Sequence, residues 1–208
     1  MLPHEIEKES FRLIEAQLEK GRFSPQEYAV AMRVIHATAD FSFADALRFH
    51  PQAIPCGIEA LRRGCIVVTD VRMVQVGIAS PLLEQLGGHT FCAIADPEVA
   101  ELAQRCGITR ASAAMRYGAP HMHRGIVAVG NAPTALFEVI RLVREESIRP
   151  ALIVGTPVGF VKAAESKEAL LELEVPYITV LGNKGGSSVA AAIINALLRV
   201  AVQDKDPL

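Results

Sequence analysis

The stretch Ile126-Val-Ala-Val-Gly-Asn131-Ala-Pro-Thr-Ala-Leu-Phe-Glu-Val-Ile-Arg-Leu-Val-Arg-Glu145 decides the fold class. Its first residues form a nearly continuous apolar run that ends at Gly130 and Asn131, which is typical of a strand buried on both faces. Beyond Pro133 the apolar side chains recur every three or four positions, at Leu136, Val139, Ile140 and Val143. That spacing predicts an amphipathic helix. A buried strand followed directly by such a helix is the repeating unit of α/β proteins.

Four more short apolar runs are bounded by turn residues and are separated by longer segments with helical periodicity. These predicted strands are Cys65–Val71, His89–Ile94, Ala151–Gly155 and Tyr177–Gly182. Strands that alternate with helices favour a parallel sheet with right-handed crossovers and helices on both faces. The sequence therefore predicts an α/β protein with three layers, α/β/α, around a five-stranded parallel sheet.

Helical segments also lie at both ends of the chain. Two of them, Pro3–Lys20 and Pro25–Thr38, precede the first predicted strand and form an N-terminal helical arm. We expect this arm to cover the open end of the sheet or a second subunit. The segment Ser188–Val202 is apolar nearly all round, which predicts a helix deep in the protein or at a subunit contact. With no linker or repeat between these segments, residues 1–208 are interpreted as a single domain.

Composition excludes several functional classes. The 208 residues are 50% apolar and 21% charged, enough apolar surface for a folded core. The net charge of −2 and the absence of tryptophan argue against nucleic-acid binding. No apolar stretch approaches the roughly 20 residues that span a bilayer. The four cysteines, which lie within or beside apolar runs, form no C-x-x-C pair and are interpreted as reduced thiols. With no export signal in view, we expect a cytoplasmic protein.

Polar residues follow the predicted strands at their carboxyl ends, where ligands bind in open α/β sheets. Candidate ligand-binding residues there are Asp70, Asn131, Thr134 and Lys184. The last loop, Gly182–Ser188, also contains three glycines and precedes a helix, an arrangement that favours carboxylate or phosphate groups. The alternative is that such glycine-rich loops exist only to make tight turns.

Common catalytic motifs are absent from these loops. Residues 182–188 lack the phosphate-loop spacing, no G-x-G-x-x-G follows a strand, and the nucleophile motif G-x-S-x-G does not occur. The sequence therefore favours an enzyme that uses neither ATP, NAD nor an acyl intermediate.

Among the six histidines, His36 is the best candidate for chemistry. Arg33 and His36 are three residues apart on a predicted helix, so they share a face and offer a cation and a proton-transfer group to one ligand. The alternative is a histidine satisfied within the core. His121 and His123 have strand spacing for a metal pair, but no third ligand can be assigned. A surface loop is the simpler interpretation there, and we predict no metal site.

Four stretches together resemble the precorrin-8X methylmutase family, whose members are also called cobalt-precorrin-8 methylmutases. They are Arg33-x-x-His36 with Thr38-Ala-Asp40-Phe41, Gly130-Asn-Ala-Pro-Thr-Ala-Leu-Phe137, Pro157-Val-Gly-Phe-Val-x-Ala-Ala-Glu-Ser-Lys167, and Lys184-Gly-Gly-Ser187. The similarity extends from Glu9-Ser10-Phe11 to the last helix. It does not include Tyr117–Arg124.

This resemblance implies an isomerase of cobalamin (vitamin B12) biosynthesis. Such enzymes move a methyl group from C-11 to C-12 of precorrin-8X or cobalt-precorrin-8, by a 1,5-sigmatropic shift that gives hydrogenobyrinate or cobyrinate. The position that matches the family's proton donor and acceptor is His36, and Ser10 and Arg33 match substrate-binding positions. The resemblance also implies a flavodoxin-like fold, a homodimer with the site near its interface, and no cofactor. Residues 34–41 and 183–187 look slightly closer to the cobalt-containing branch.

The physical properties of such a substrate agree with these residues. A corrin precursor carries many carboxylates, so its site needs local cations such as Arg33 and Lys184. Arg110, which follows Thr109 at a predicted helix start, is a further candidate to bind a carboxylate. The alternative for Arg110 is an ordinary surface arginine.

Two other functions are alternatives to this isomerase. A non-catalytic corrinoid carrier would use the same anion-binding loops without turnover. A signalling domain of flavodoxin-like fold would need an acidic cluster after the first predicted strand, where the sequence has only Asp70 with Arg72 nearby.

Overall fold

The computed structural model describes residues 2–19 and 21–203. Its helices are α1 (Pro3–Glu15), α2 (Pro25–Thr38), α3 (Phe43–Ala46), α4 (Ala53–Arg62), α5 (Arg72–Gly77), α6 (Ser80–Gln85), α7 (Pro97–Cys106), α8 (Arg110–Gly118), α9 (Pro133–Glu145), α10 (Ala163–Leu171) and α11 (Ser187–Gln203), with a short 3-10 helix at Ala119–His121. Its strands are β1 (Leu47–Phe49), β2 (Ile66–Thr69), β3 (His89–Phe91), β4 (Ile126–Val129), β5 (Leu152–Gly155) and β6 (Tyr177–Val180).

The six strands form one sheet in the order β1-β6-β5-β4-β2-β3. Every neighbouring pair from β6 to β3 is parallel, whereas β1 pairs antiparallel with β6. Without β1, the order of the remaining strands is that of flavodoxin-like proteins. The predicted α/β class and the flavodoxin-like fold that the resemblance implies are confirmed.

The predicted number of strands needs a correction, because the sheet has six strands and one of them is antiparallel. The sixth strand, β1, has only three residues, and its Leu47, Arg48 and Phe49 are buried, exposed and partly buried in turn. So short an edge strand has no apolar run that distinguishes it in sequence. The five predicted strands all occur, each one to three residues shorter than expected.

Strand residues alternate between two apolar cores, one on each face of the sheet. On one face Val67 and Ala128 pack with α4, α5, α6 and α11, and on the other Val68 and Val127 pack with α7, α8, α9 and α10. This alternation gives the three predicted layers, α/β/α. The carboxyl ends of β2, β4, β5 and β6 face the same edge of the sheet.

The C-terminal helix α11 lies deep in the first of these layers. It contacts β4 and β5 on the sheet side and α2 and α4 on the other sides, and most of its side chains are buried. The structure thus confirms the predicted buried helix at Ser188–Val202.

The N-terminal arm covers α11. Helix α2 packs on α11, and α1 packs on α2 through a third, small core that includes Ile14, Met32 and Ile35. Helix α1 ends at Glu15, five residues before the predicted end at Lys20, which lies outside the described residues. None of the helices in residues 2–19 and 21–203 has the length and apolarity that spanning a membrane requires.

Candidate active site

Helix α2 presents the candidate catalytic residues, and its ends are fixed by local sequence. At its start Ser24 and Glu27 exchange hydrogen bonds between side chain and backbone, a capping box followed by Pro25 at the first helical position. At its end Ala39 adopts a left-handed conformation (φ 52°) and donates its N–H to Ile35. The buried face of α2 packs on α11 and α1, which leaves His36 on the exposed face.

Arg33 and His36 share that face, as their spacing predicts. The imidazole of His36 stacks on the ring of Phe11 in α1, with centroids 5.1 Å apart and planes 28° apart. The guanidinium carbon of Arg33 lies 5.1 Å from the centroid of the same ring. Phe11 is therefore in contact with both candidate residues and restricts their orientation.

Two cavities meet at His36. One, about 300 Å³, lies between α1 and α2 and is also lined by Ser10, Ala39 and Phe41. The other, about 290 Å³, lies between α2, α5 and α11 and is also lined by Arg33 and Asn195. His36 is thus accessible from both sides, and the structure brings the predicted residues Ser10, Arg33 and His36 together.

Arg33 is held by an acidic residue of the arm. Its Nη2 lies 3.1 Å from Glu7 Oε1, and Nη2 of Arg199 lies 3.7 Å from the same oxygen. Burial and the nearby Arg199 lower the pKa of Arg33. The carboxylate of Glu7 is therefore shared by two guanidinium groups.

Lys184 also points toward α2, where it binds protein groups. Its Nζ lies 2.6 Å from Asp40 Oδ2 and 2.7 Å from Ser42 Oγ, just beyond the end of α2. Hydrogen bonds from Lys184 and Ser42 lower the pKa of Asp40 to about 2. Lys184 thus joins the glycine-rich loop before α11 to the end of the helix that contains His36.

Asp70 lies at the point in the sheet between β2 and β4 where the strand order reverses, the place where this fold class binds ligands. It is fully buried, and its carboxylate accepts hydrogen bonds from the backbone N–H groups of Gly130, Asn131 and Ala132 at 2.8–3.0 Å. Burial raises the pKa of Asp70 against the effect of these bonds. The geometry therefore gives Asp70 a role in ordering the loop after β4.

The remaining predicted residues lie around the starts of α8 and α9. The Thr134 hydroxyl accepts a hydrogen bond from Thr109, which caps α8, while Asn131 and Arg110 are exposed. Among the described residues, no hydrogen bond or cavity joins these three to His36. His121 and His123 are also exposed, on either side of the buried Met122, and the His121 ring contacts Phe91.

Sequence reasoning missed two residues of the arm, Phe11 and Glu7. Phe11 directly follows Ser10 in the stretch with which the family resemblance begins, so the resemblance could have indicated that Phe11 belongs to the site. Glu7 has no such signal, because its contact with Arg33 depends on how α1 packs on α2.

Comparisons with known proteins identify the family of this chain. The family model "Precorrin-8X methylmutase" matches residues 5–200. The cobalt-precorrin-8 methylmutase of Priestia megaterium is 48% identical over 94% of this chain and 87% of its own length. That of Leptospira interrogans is 45% identical over 95% and 93%. The crystal structure of the Thermus thermophilus precorrin-8X methyl mutase superposes with a TM-score of 0.90 at 39% identity, over 99% of this chain and 100% of that one. The chain therefore belongs to the precorrin-8X methylmutase family.

Proposed function

We propose that this protein is an isomerase of cobalamin biosynthesis that moves the methyl group of its substrate from C-11 to C-12 of the macrocycle. The observation that carries the proposal is the placement of His36 and Arg33 side by side between two cavities, in a chain of this family. The reaction is an internal rearrangement, so it needs a proton-transfer group and precise positioning.

His36 is the proposed proton donor and acceptor. A histidine imidazole can add a proton to the macrocycle or remove one, which changes the double bonds available for the 1,5-shift. Phe11 holds one face of the ring, so the imidazole meets the substrate in a restricted orientation. The rest of the rate enhancement comes from holding the methyl group over its destination carbon.

Arg33 and Ser10 are the proposed contacts for the substrate's carboxylates. Arg33 already binds one carboxylate, that of Glu7, and Arg199 adds a second guanidinium at the same place. The Ser10 hydroxyl lines the cavity between α1 and α2, and its O–H, which here donates to the carbonyl of Ile6, would turn to donate to a substrate carboxylate. Asn131, Thr134, Arg110 and Lys184 remain proposed contacts for more distant carboxylates, and Asp70 orders the loop of Asn131.

Cobalt-precorrin-8 is the proposed substrate, with precorrin-8X as the alternative. The relatives from Priestia megaterium and Leptospira interrogans, at 48% and 45% identity, are named for the cobalt form. The Thermus thermophilus enzyme, named for precorrin-8X, is 39% identical. The cobalt ion is part of the substrate in this proposal, and the product is cobyrinate.

A homodimer is also proposed. Exposed apolar side chains occur on α5, at Met73 and Val76, and on the loop after β5, where Phe160 is 92% exposed and Val161 80%. Exposed apolar patches of this kind are typical of subunit contacts. Sedimentation at working concentration gives twice the chain mass if the proposal is correct.

We further propose that residues 1–208 act as a single catalytic domain in the cytoplasm. The matched family model extends over residues 5–200, nearly the whole chain. Support for the compartment comes from the cysteines, since Cys56, Cys65, Cys92 and Cys106 are all free thiols.

The test is the visible spectrum of the purified protein mixed anaerobically with cobalt-precorrin-8 and, separately, with precorrin-8X. We expect a shift to the spectrum of the conjugated corrin, faster with the cobalt form. Binding of both compounds without conversion of either would contradict the proposal and would indicate a corrinoid carrier.

A further inference from the structure

Lys167 is a buried charge to which the proposed reaction gives no role. It lies on α10 with its side chain fully buried, and this burial lowers its pKa to about 8. Burying an ammonium group is unfavourable unless it finds hydrogen-bond partners. The partner here is a backbone group, because Lys167 Nζ donates to the carbonyl oxygen of Lys184 at 2.7 Å.

That carbonyl belongs to the glycine-rich loop between β6 and α11. The loop is held against the segment after β5 by two backbone hydrogen bonds, from Gly186 to Thr156 O and from Gly159 to Asn183 O. Between them Gly185 packs so closely that a Cβ would overlap the carbonyl oxygen of Thr156. Lys167 therefore adds a third attachment, at Lys184, whose side chain reaches Asp40 and Ser42 just beyond the end of α2.

The side chain of Lys184 continues the connection. Its ammonium binds Asp40 and Ser42 at 2.6 and 2.7 Å, and Asp40 also accepts the N–H of Ser42 at 2.9 Å. Asp40 directly follows Ala39, the residue that ends α2 and lines the same cavity as His36. The chain of contacts from Lys167 through Lys184 to Asp40 thus ends at the wall of the candidate active site.

We propose that Lys167 is a positioning residue: its buried ammonium holds the backbone of Lys184, and thereby places the Lys184 side chain on Asp40 at the end of the His36 helix. Asp40, Lys167 and Lys184 lie in three of the four stretches that resemble the methylmutase family. Only the effect on turnover rests on the proposed function, since the arrangement itself can be measured without substrate.

The test is a measurement of the pKa of the Asp40 carboxyl by NMR, in protein labelled with ¹³C-aspartate. The Asp40 signal is assigned as the one that is missing in Asp40→Asn. In the wild type the hydrogen bonds from Lys184 and Ser42 hold this pKa at about 2. In Lys167→Met, which lacks the donor, it should rise toward the ordinary value of about 3.9. Near pH 3 a larger fraction of the Asp40 carboxyl should therefore be protonated in the variant than in the wild type.

Two further variants separate positioning from general destabilisation. Lys184→Met should raise the pKa of Asp40 as well, and combining it with Lys167→Met should add nothing, because both act through one contact. Ser166→Ala is the matched control: Ser166 is buried beside Lys167, but bonds only within its own helix. That control should leave the pKa of Asp40 unchanged.

An unchanged Asp40 pKa in a folded Lys167→Met protein would overturn the proposal. If Lys167→Met does not fold, the Asp40 pKa is measured in Lys167→Gln and judged in the same way. The glutamine side chain is about one bond shorter than that of lysine, so its amide nitrogen does not reach the carbonyl oxygen of Lys184. With cobalt-precorrin-8 as substrate, kcat/KM should be about tenfold lower in Lys167→Met than in the wild type. The double variant Lys167→Met/Lys184→Met should have the same kcat/KM as Lys184→Met alone. If the wild type itself shows no conversion, the proposed function fails while the Asp40 measurement still decides on Lys167.

Discussion

The loop after β4 and the exposed face of α2 are both polar, but they differ in what their polar groups contact. At the loop, Asp70 is buried and its carboxylate is fully engaged by three backbone N–H groups. On α2, His36 is exposed and lies between two cavities. A flavodoxin-like fold usually binds ligands at the point where the strand order reverses, which is between β2 and β4 in this protein. Here the carboxylate of Asp70 lies at that point. The proposed site lies instead on the N-terminal arm, an addition to the α/β core.

The difference shows that the polar residues of this fold have two distinct roles. One group shapes the loops and is recognised by burial and complete hydrogen bonding. The other is exposed, with an incomplete set of partners, and is available for a substrate. Substitutions in each group should therefore affect different measurements.

The largest expected effect is on the α2 side, in His36→Ala. Loss of a general acid–base group should lower kcat about 100-fold or more. The free energy of unfolding should change by about 1 kcal/mol or less, because the exposed side chain loses only its stacking contact with Phe11. Spectroscopic turnover assays and chemical denaturation measure the two quantities, with the exposed His123→Ala as control. Full activity in His36→Ala would show that His36 is not the proton donor.

The opposite result is expected for Asp70→Asn. An amide retains one acceptor oxygen and places N–H donors against the backbone donors of the loop after β4. We expect a loss of about 2–3 kcal/mol in the free energy of unfolding and nearly normal kcat in the folded fraction. Asp45→Asn, on an exposed carboxylate, is the control. A stable Asp70→Asn protein without activity would show that this carboxylate acts in the reaction.

Arg33→Met tests the substrate contact on α2. Removing a guanidinium that binds a substrate carboxylate should raise KM about tenfold, consistent with the loss of one charged hydrogen bond. The effect on kcat should be smaller, because the reacting carbons are bound by other groups as well. Arg63→Met, on an exposed arginine paired with Glu59, should leave both constants unchanged.

The smallest effect is expected for Arg110→Ala, on the loop side. An exposed guanidinium contributes little to binding, so KM should rise by about threefold. Steady-state kinetics on the same substrate measure this change. A hundredfold rise in KM would contradict the difference drawn between the loop after β4 and the exposed face of α2. It would indicate that the substrate binds over the loops at the carboxyl ends of the strands.

Much of the fold could be predicted because its strands and helices have strong local patterns. Helix α2 was predicted to the residue, since Ser24, Pro25 and Glu27 define its start. Strand β1 was missed because three residues show too little alternation, and its pairing with β6 depends on the completed fold. The same limit applies to the site. Spacing alone placed Arg33 and His36 on one face, whereas the contacts of Glu7 and Phe11 arise from the packing of two helices.

The edges of the sheet have a consequence for how copies of this chain meet. Both edge strands, β1 and β3, have only three residues, which gives another chain few backbone groups with which to pair. On β1 the guanidinium of Arg48 also donates to the carbonyl oxygens of Asp45 and Leu47, so a charge lies at that edge. Such edges discourage aggregation through continued sheets. Association between copies is therefore expected through helices and loops, where side chains can distinguish a correct partner from an incorrect one.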